Sequence, residues 1–478
     1  MEGRVWRAGN APVPIFIRWA SVLVAGLCLC GGAAAQRGAA SDRALAREVL
    51  KELVEIRTTE AEGTARAAEA IAGRLLAAGF PKEDVHIINT DPNVANVVAR
   101  IRGRNAAARG VLMMAHIDVV PALREDWSVD PWTFLERDGW FYGRGTTDNK
   151  AGAAMLVANA VALKRAGWQP ARTVILLMTG DEETAQHGIQ AIVAKHRELI
   201  DADVAFNTDG GGVTLREGRP SVFELQASEK IYADYQLEVT DAGGHSSLVR
   251  RDNPIYTLAA ALTRLGDHQF PLQMSDVTRM FFERSASRES GQTAIDMRAV
   301  AAVPPDPAAA ARLSRSPEYN AQLRTTCVAT KVNAGHANNA LPQVARAVVN
   351  CRILPGLPVA EVESVVRRLA GDKVAVTVLE PPIQSPPSAP TPALLSRIEP
   401  LVTKYWPGLP VLPLMQAGAT DGMYTRSAGI PTYGVSGIES NPDDVRAHGR
   451  DERVGVESFY TATQFWFDLM RTYGDDTR

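Results

Sequence analysis

Three short apolar runs in this sequence end in side chains of the metal-ligand type. Val111 to Ala115 runs into His116, Thr173 to Met178 leads within five residues to Glu182-Glu183, and Val204 to Phe206 leads to Asp209. A fourth carboxylate, Asp148, follows the turn Gly143-Arg144-Gly145-Thr146-Thr147 and precedes a helix-like stretch. In a parallel sheet the carboxyl ends of the strands share one edge, and ligands gather in the crevice there, so these sequence-distant groups become neighbours. An imidazole among several carboxylates is a donor set for a divalent cation, and Asp118, two residues beyond His116, is placed to bond the ring nitrogen that faces away from a metal. Taken singly, each signal has an ordinary reading too. His116-Ile117-Asp118 can be a surface strand end, Asp181-Glu182-Glu183 an acidic helix start favoured by the helix dipole, Asp209 with its glycines a turn, and Asp148-Asn149 an N-cap.

The elements that would position these groups are those of an α/β body. Asp42 to Ile56 and Thr64 to Ala78 show helical spacing of apolar residues. Ala95 to Ile101 joins the three apolar runs as strands covered on both faces, and Ala151 to Arg165 supplies a crossover helix. From about Phe223 the texture changes: alternating strands (Tyr232 to Val239, Thr325 to Val332, Ala345 to Leu354, Lys373 to Leu379) and two helix candidates (Pro254 to Leu265, Val359 to Leu369) predict a separate, open-faced α+β domain. Gly266 to Gln322, long, polar and proline-bearing, reads as an insertion in it. Pro381 to Pro392 reads as the linker back, followed by a helix (Pro392 to Lys404), a strand near Pro431 to Val435 and a last amphipathic helix, Val456 to Thr472. The predicted division is 1–35 leader, 36–228 first part of the larger domain, 229–385 smaller domain, and 386–478 second part of the larger domain.

The chain has 478 residues, 46% hydrophobic and 22% charged, with 51 Lys+Arg against 54 Asp+Glu. That suits a globular protein of about two domains and lacks the basic excess of a nucleic-acid-binding surface, so no nucleic-acid partner is expected. Arg4, Arg7 and Arg18 precede the apolar run Trp19 to Cys30, then small residues through Ala35, the pattern of a signal peptide with an Ala-x-Ala cleavage site. Export to a periplasmic or external compartment is expected, with an uncleaved membrane anchor as the alternative. Only Cys327 and Cys351 would remain in the mature chain. If their strands pair as a hairpin centred near Asn339 the two thiols face each other, and either a disulfide or two buried free thiols results.

In order and spacing, the stretches MMAHIDVVP, GRGTTDNKAG, TGDEET, FNTDGG, GGHSS, NNALP, GATDG and AHGRDE resemble the zinc-dependent family of exopeptidases, aminoacylases and desuccinylases, over nearly the whole mature chain. The fold implied is a zinc-exopeptidase-like catalytic domain with a mostly parallel central sheet, plus an inserted lid or dimerisation domain. The resemblance implies two zinc ions per chain, one held by His116 and Asp209, the other by Glu183 and His448, with Asp148 bridging and Asp118 supporting His116. It also implies a cis peptide bond at Asp148-Asn149, Glu182 as general base for a metal-activated water, and His245 as oxyanion donor from the smaller domain. Asn339 and Arg352 match positions that bind a substrate carboxylate, and Gly418, Thr420 and Asp421 fall where the specificity pocket is lined. His448 has no signal of its own in the spacing. Asn350-Cys351-Arg352 departs from the family's Asp-x-Arg, which leaves the arginine's support open, and the Gly266 to Gln322 insertion leaves open whether a homodimer forms through the smaller domain. His336, near Asn339, is a further candidate for substrate contact.

The expected activity is hydrolysis of an amide bond next to a free carboxylate, as a carboxypeptidase or N-acyl-amino-acid hydrolase acting on small peptides or acyl-amino acids. The alternatives are a desuccinylase or deacetylase, and a catalytically dead peptide-binding protein.

Overall fold

Strands Gly110–His116 and Val174–Thr179 are buried along their whole length, which is why they read as unbroken apolar runs rather than as alternating ones. They are central strands of a ten-stranded sheet in the computed structural model, which describes residues 43–477. The predicted leader, 1–35, lies outside the described residues. The sheet order is Val85–Asp91, Val94–Ile101, Val174–Thr179, Gly110–His116, Ala202–Asn207, Thr432–Gly434, Arg219–Glu229, Gly212–Arg216 and Glu439–Ser440, with Val411–Gln416 also pairing Arg219–Glu229. The pairings around Gly110–His116 are parallel, with His116 beside Thr179 and Met114 beside both Leu177 and Asn207. The three strand ends that carry the candidate ligands therefore meet at one edge.

Helix Lys150–Arg165, buried at nearly every position, makes the crossover behind this sheet. The last helix, Val456–Gly474, packs beside it, and Asn159 donates to the Thr463 carbonyl at 2.8 Å. Among the described residues no helix is long and apolar enough to cross a membrane.

The chain leaves the large sheet at Glu229 and enters a second, four-stranded antiparallel sheet at Ile231. Its order is Thr326–Ala334, Val344–Ile353, Ile231–Thr240, Ala375–Val378. Burial alternates along Ile231–Thr240, so one face is covered. Leu258, Ala261, Leu265, Val362 and Val366, from helices Pro254–Asp267 and Val359–Ala370, pack on that face with Tyr235, Leu237 and Val349. The predicted hairpin register holds: Cys327 stands opposite Cys351, and the two form a disulfide with a Cα–Cα distance of 4.1 Å. Residues 380–391 carry no regular structure.

The segment expected to enlarge the smaller domain does something else. Helices Asp276–Ser285, Gly291–Ala301, Pro307–Leu313 and Pro317–Leu323 place Phe282, Met297, Val300 and Leu323 against Val222 and Leu412, which belong to the large sheet. The sequence hides the last two of these helices because Pro307 and Pro317 look like breakers. Each occupies the first turn, where its missing N–H has no intrahelical partner to lose, behind a capping Asp306 or Ser316.

Candidate metal centre

His116 is the last residue of its strand and almost fully buried. Its Nε2 lies 2.8 Å from Asp148 Oδ1 and 3.9 Å from Asp209 Oδ2. Asp148 reaches in from the Gly143–Thr147 loop, and the Asp148-Asn149 bond is cis, as the resemblance implied. On the other side of Asp148, His448 Nε2 stands 3.1 Å from its Oδ2 and 2.8 Å from Glu183 Oε1. His448 takes a left-handed backbone, φ 60°, an uncommon conformation for a non-glycine residue. The five residues expected to hold metal thus converge, with Asp148 between the two histidines.

Two donor sets lie within 4.8 Å, one of His116, Asp148 and Glu183, the other of His116, Glu182 and Asp209. Glu182, expected beside the metals as a base, is therefore close enough to contribute an oxygen. Asp118 does more than face His116, whose Nδ1 is 3.1 Å from its backbone oxygen and 3.4 Å from its Oδ1. Its two carboxylate oxygens accept the backbone N–H groups of Glu182, at 3.1 Å, and Glu183, at 2.9 Å. One side chain so ties the histidine strand to the loop that carries the glutamates.

The electrostatics are those of an anionic nest. Burial, and then the charge of Asp209, push Glu182 well above the usual carboxylate range. Asp209 is raised in the same direction, by burial first and by Asp148 and Glu183 as well. Hydrogen bonds donated to Asp148 and Glu183 hold His448 up to about 10. For His116, burial works against the charged ring, yet hydrogen bonds to Asp118 and Asp148 overcome it, so its pKa is raised well above that of a free imidazole. Buried carboxylates that cannot all stay ionised together, with imidazoles between them, form the donor chemistry that a divalent cation neutralises. The residues present fit a metal pair.

Beside the nest, Asp421 accepts from Thr179 Oγ1 at 2.5 Å, while its Oδ1 is buried without a hydrogen-bond partner. Burial raises this carboxyl to about 7. Thr420, expected in the specificity pocket, is buried with its hydroxyl bonded to Glu229 at 2.7 Å. Glu229 in turn pairs with Arg426. Gly418 lies in the loop after strand Val411–Gln416.

On the smaller lobe, His245 is exposed and its Nδ1 lies 2.7 Å from Ser247 Oγ. Asn339 precedes Ala340, which stands across the two-stranded ribbon from His245, and its backbone carbonyl accepts the Ser246 N–H at 3.0 Å. His336 lies in the exposed turn before that ribbon. None of these three enters the two donor sets. Arg352 stacks over Tyr232, 4.6 Å from its ring centroid, and donates to Asn350 Oδ1 and to the Ala417 carbonyl. The missing aspartate of the family pattern has a replacement across the strand. Asn350 donates to Asp234 Oδ1 at 2.7 Å, and Tyr232 donates to Asp234 Oδ2 at 2.7 Å. Asp234 thus supports Arg352 through two neutral relays that sequence spacing alone does not reveal.

A family model described as peptidase family M20/M25/M40 matches residues 112–472. The N-fatty-acyl-amino acid synthase/hydrolase PM20D1 of Homo sapiens is 30% identical over 387 residues, covering 79% of this chain and 76% of that protein. The probable carboxypeptidase S-like 2 of Dictyostelium discoideum is 27% identical over 410 residues, covering 82% and 77%. Among solved structures, the M20 family metallo-carboxypeptidase Sso-CP2 from Sulfolobus solfataricus superposes with a TM-score of 0.68 at 19% identity, over 90% of this chain and 99% of that one. The YXEP protein of Bacillus subtilis, a dinuclear metal binding peptidase, does so with a TM-score of 0.59 at 13% identity, over 91% and 99%. Fold, donor set and relatives agree on an amidohydrolase. The chain belongs to peptidase family M20/M25/M40.

Proposed function

We propose that the protein is a zinc-dependent exo-acting amidohydrolase that cleaves the amide bond next to a free carboxylate, as a carboxypeptidase or N-acyl-amino-acid hydrolase. The observation that carries this reading is the convergence of His116, Asp148, Glu183, Asp209 and His448, with the carboxylate of Glu182 in reach of His116 and Asp209. His116 and Asp209 would hold one zinc ion, Glu183 and His448 the other, with Asp148 shared. When bound, such a pair supplies a Lewis acid for the scissile carbonyl and lowers the pKa of water towards about 7.

The chain's own groups do the rest. Glu182 accepts the proton of the attacking water and delivers it to the leaving nitrogen. Asp118 keeps His116 oriented and the two glutamates in register. The Arg352 guanidinium, held by Tyr232 and Asn350, offers planar donors to the substrate carboxylate, and His245 is the oxyanion donor brought in from the smaller lobe. A cavity of about 520 Å³ borders Asp148 and Asp209, and Trp140, Leu215, Ile438 and Val445 are among its lining residues. Its apolar surface suits the acyl half of an acyl-amino acid, which favours that substrate over a short polar peptide.

Export belongs to the same proposal, supported by the Cys327–Cys351 disulfide, a bond that persists in oxidising compartments. A homodimer through the smaller lobe is supported by its edge strand Thr326–Ala334, exposed along most of its length and displaying Val328 and Val332. The reading is tested by assaying purified protein on a panel of N-acyl-amino acids and dipeptides, each with its carboxylate free or amidated. Cleavage confined to free carboxylates is expected. Equal cleavage of the amidated partners would contradict the carboxylate assignment.

A further inference from the structure

The stretches GRGTTDNKAG and AHGRDE each hold a charged residue that the mechanism leaves without a task, Arg144 and Glu452. Both are buried, Glu452 completely, although they lie more than 300 positions apart. Glu452 Oε2 accepts from Arg144 Nη1 at 2.6 Å and from the Gly145 N–H at 3.0 Å, while Oε1 accepts the N–H groups of Thr147, at 2.8 Å, and Asp148, at 3.0 Å. The loop preceding Asp148 has no strand or helix to hold it, so this one carboxylate collects three of its backbone donors, including that of Asp148 itself. Arg144 then extends the linkage. Its Nη2 donates to the carbonyl of Gly449 at 3.1 Å, one residue beyond His448, and its plane lies over Trp127.

We propose that Glu452 is a positioning residue for the metal centre, fixing through its hydrogen bonds the backbone that presents Asp148 and, through Arg144, the loop that presents His448. An ion pair buried this deeply contributes little net stability compared with apolar residues of the same volume. What it contributes here is direction. Four donors from the segment 144–148 meet the two oxygens of Glu452, and the two metal-facing side chains, Asp148 and His448, belong to the two segments so tied together. Asp148 stands between the two histidines, so a small rotation of its backbone would disturb its approach to His116 and to His448 at once. Partners that orient ligands from outside the coordination sphere are typically worth about 10- to 100-fold in metal affinity or activity.

The inference rests on the functional reading for its metal, and its test separates the two. Glu452→Gln keeps the shape but turns an amide N–H₂ towards backbone donors. In the metal-free variant, amide hydrogen exchange should accelerate in segments 143–150 and 446–451 and stay unchanged in strand 174–179. Zinc affinity, measured by competition with a chromophoric chelator, should fall about 10- to 100-fold, and kcat should fall with KM within about twofold. Should Glu452→Gln fail to fold because Arg144 is left buried and unpaired, Arg144→Met/Glu452→Gln removes both charges and should show the same exchange and zinc phenotype in a folded protein. A merely structural role predicts a lower melting temperature with zinc affinity intact. A folded variant with wild-type zinc affinity, or with unaltered exchange in both loops, would overturn the proposal. Wild-type protein that binds no zinc would overturn the functional reading instead, while the exchange measurement would still decide whether Glu452 sets the two loops.

Discussion

At the scale of single residues, the chemistry depends on one carboxylate keeping a role different from those of its neighbours. Glu182 and Glu183 are adjacent and bonded through their backbones to the same Asp118, yet Glu183 faces His448 while Glu182 belongs with His116 and Asp209. If Glu182 carries the proton, Glu182→Gln should lower kcat by about 10²- to 10⁴-fold while inductively coupled plasma analysis finds the wild-type metal content. Near-normal turnover with full metal would move the base elsewhere. A second prediction concerns Lys230, buried where the chain passes between the sheets, with its Nζ 2.7 Å from the Arg324 carbonyl. Burial, and then the charge of Arg352, push its pKa down to about 7, against about 10.4 in an unfolded chain. Between those values the unfolded state binds a proton that the folded state refuses, so stability rises with pH across this window, and below pH 7 the full cost of charging Lys230 is present. Urea denaturation at pH 7 and pH 9.5 should show that rise, on the order of a few kcal/mol at most, and Lys230→Met should flatten it. The ligands on strand ends were legible because burial on both faces writes itself as an apolar run with a polar stop. His448 and Glu452 were not, since each acts from a loop whose geometry has no period.

At the scale of elements, a hairpin centred near Asn339 is enough to set Cys327 opposite Cys351, and the observed register does so. The disulfide spans 24 positions, and closing a loop of that size should stabilise the fold by about 3 kcal/mol in the chain-entropy account. Guanidinium denaturation with and without reductant measures this, and an unchanged midpoint would show that the pairing of Thr326–Ala334 with Val344–Ile353 carries the stability by itself. The helices between 276 and 323 show the opposite case. The last two of them begin with first-turn prolines that mimic loop punctuation. Nothing local indicates that Phe282 and Leu323 seek Val222 and Leu412 rather than the nearer four-stranded sheet. Packing partners distant in sequence decide such placements, and a single chain read alone does not display them.

At the scale of the whole molecule, the ten-stranded sheet brings three strand ends with candidate ligands to one edge, where loops add Asp148 and His448, while the four-stranded sheet carries Arg352 and the neighbouring two-stranded ribbon carries His245, on a lobe joined at Lys230 and at 380–391. The α/β body with an open-faced second sheet was legible from burial patterns. The parallel pairing of Val411–Gln416 with Arg219–Glu229 was not, because it depends on contacts nearly 200 residues apart. The division of labour we propose, cation chemistry on one lobe and carboxylate capture on the other, would require the metal pair for any turnover. The most direct test is to strip the purified protein with a chelator, then titrate zinc back while following both bound metal and hydrolysis of an N-acyl-amino acid. The account predicts that stripped protein stays folded and inactive, and that activity returns as zinc occupancy approaches two per chain. Full activity in the stripped protein, or no zinc bound at all, would contradict it.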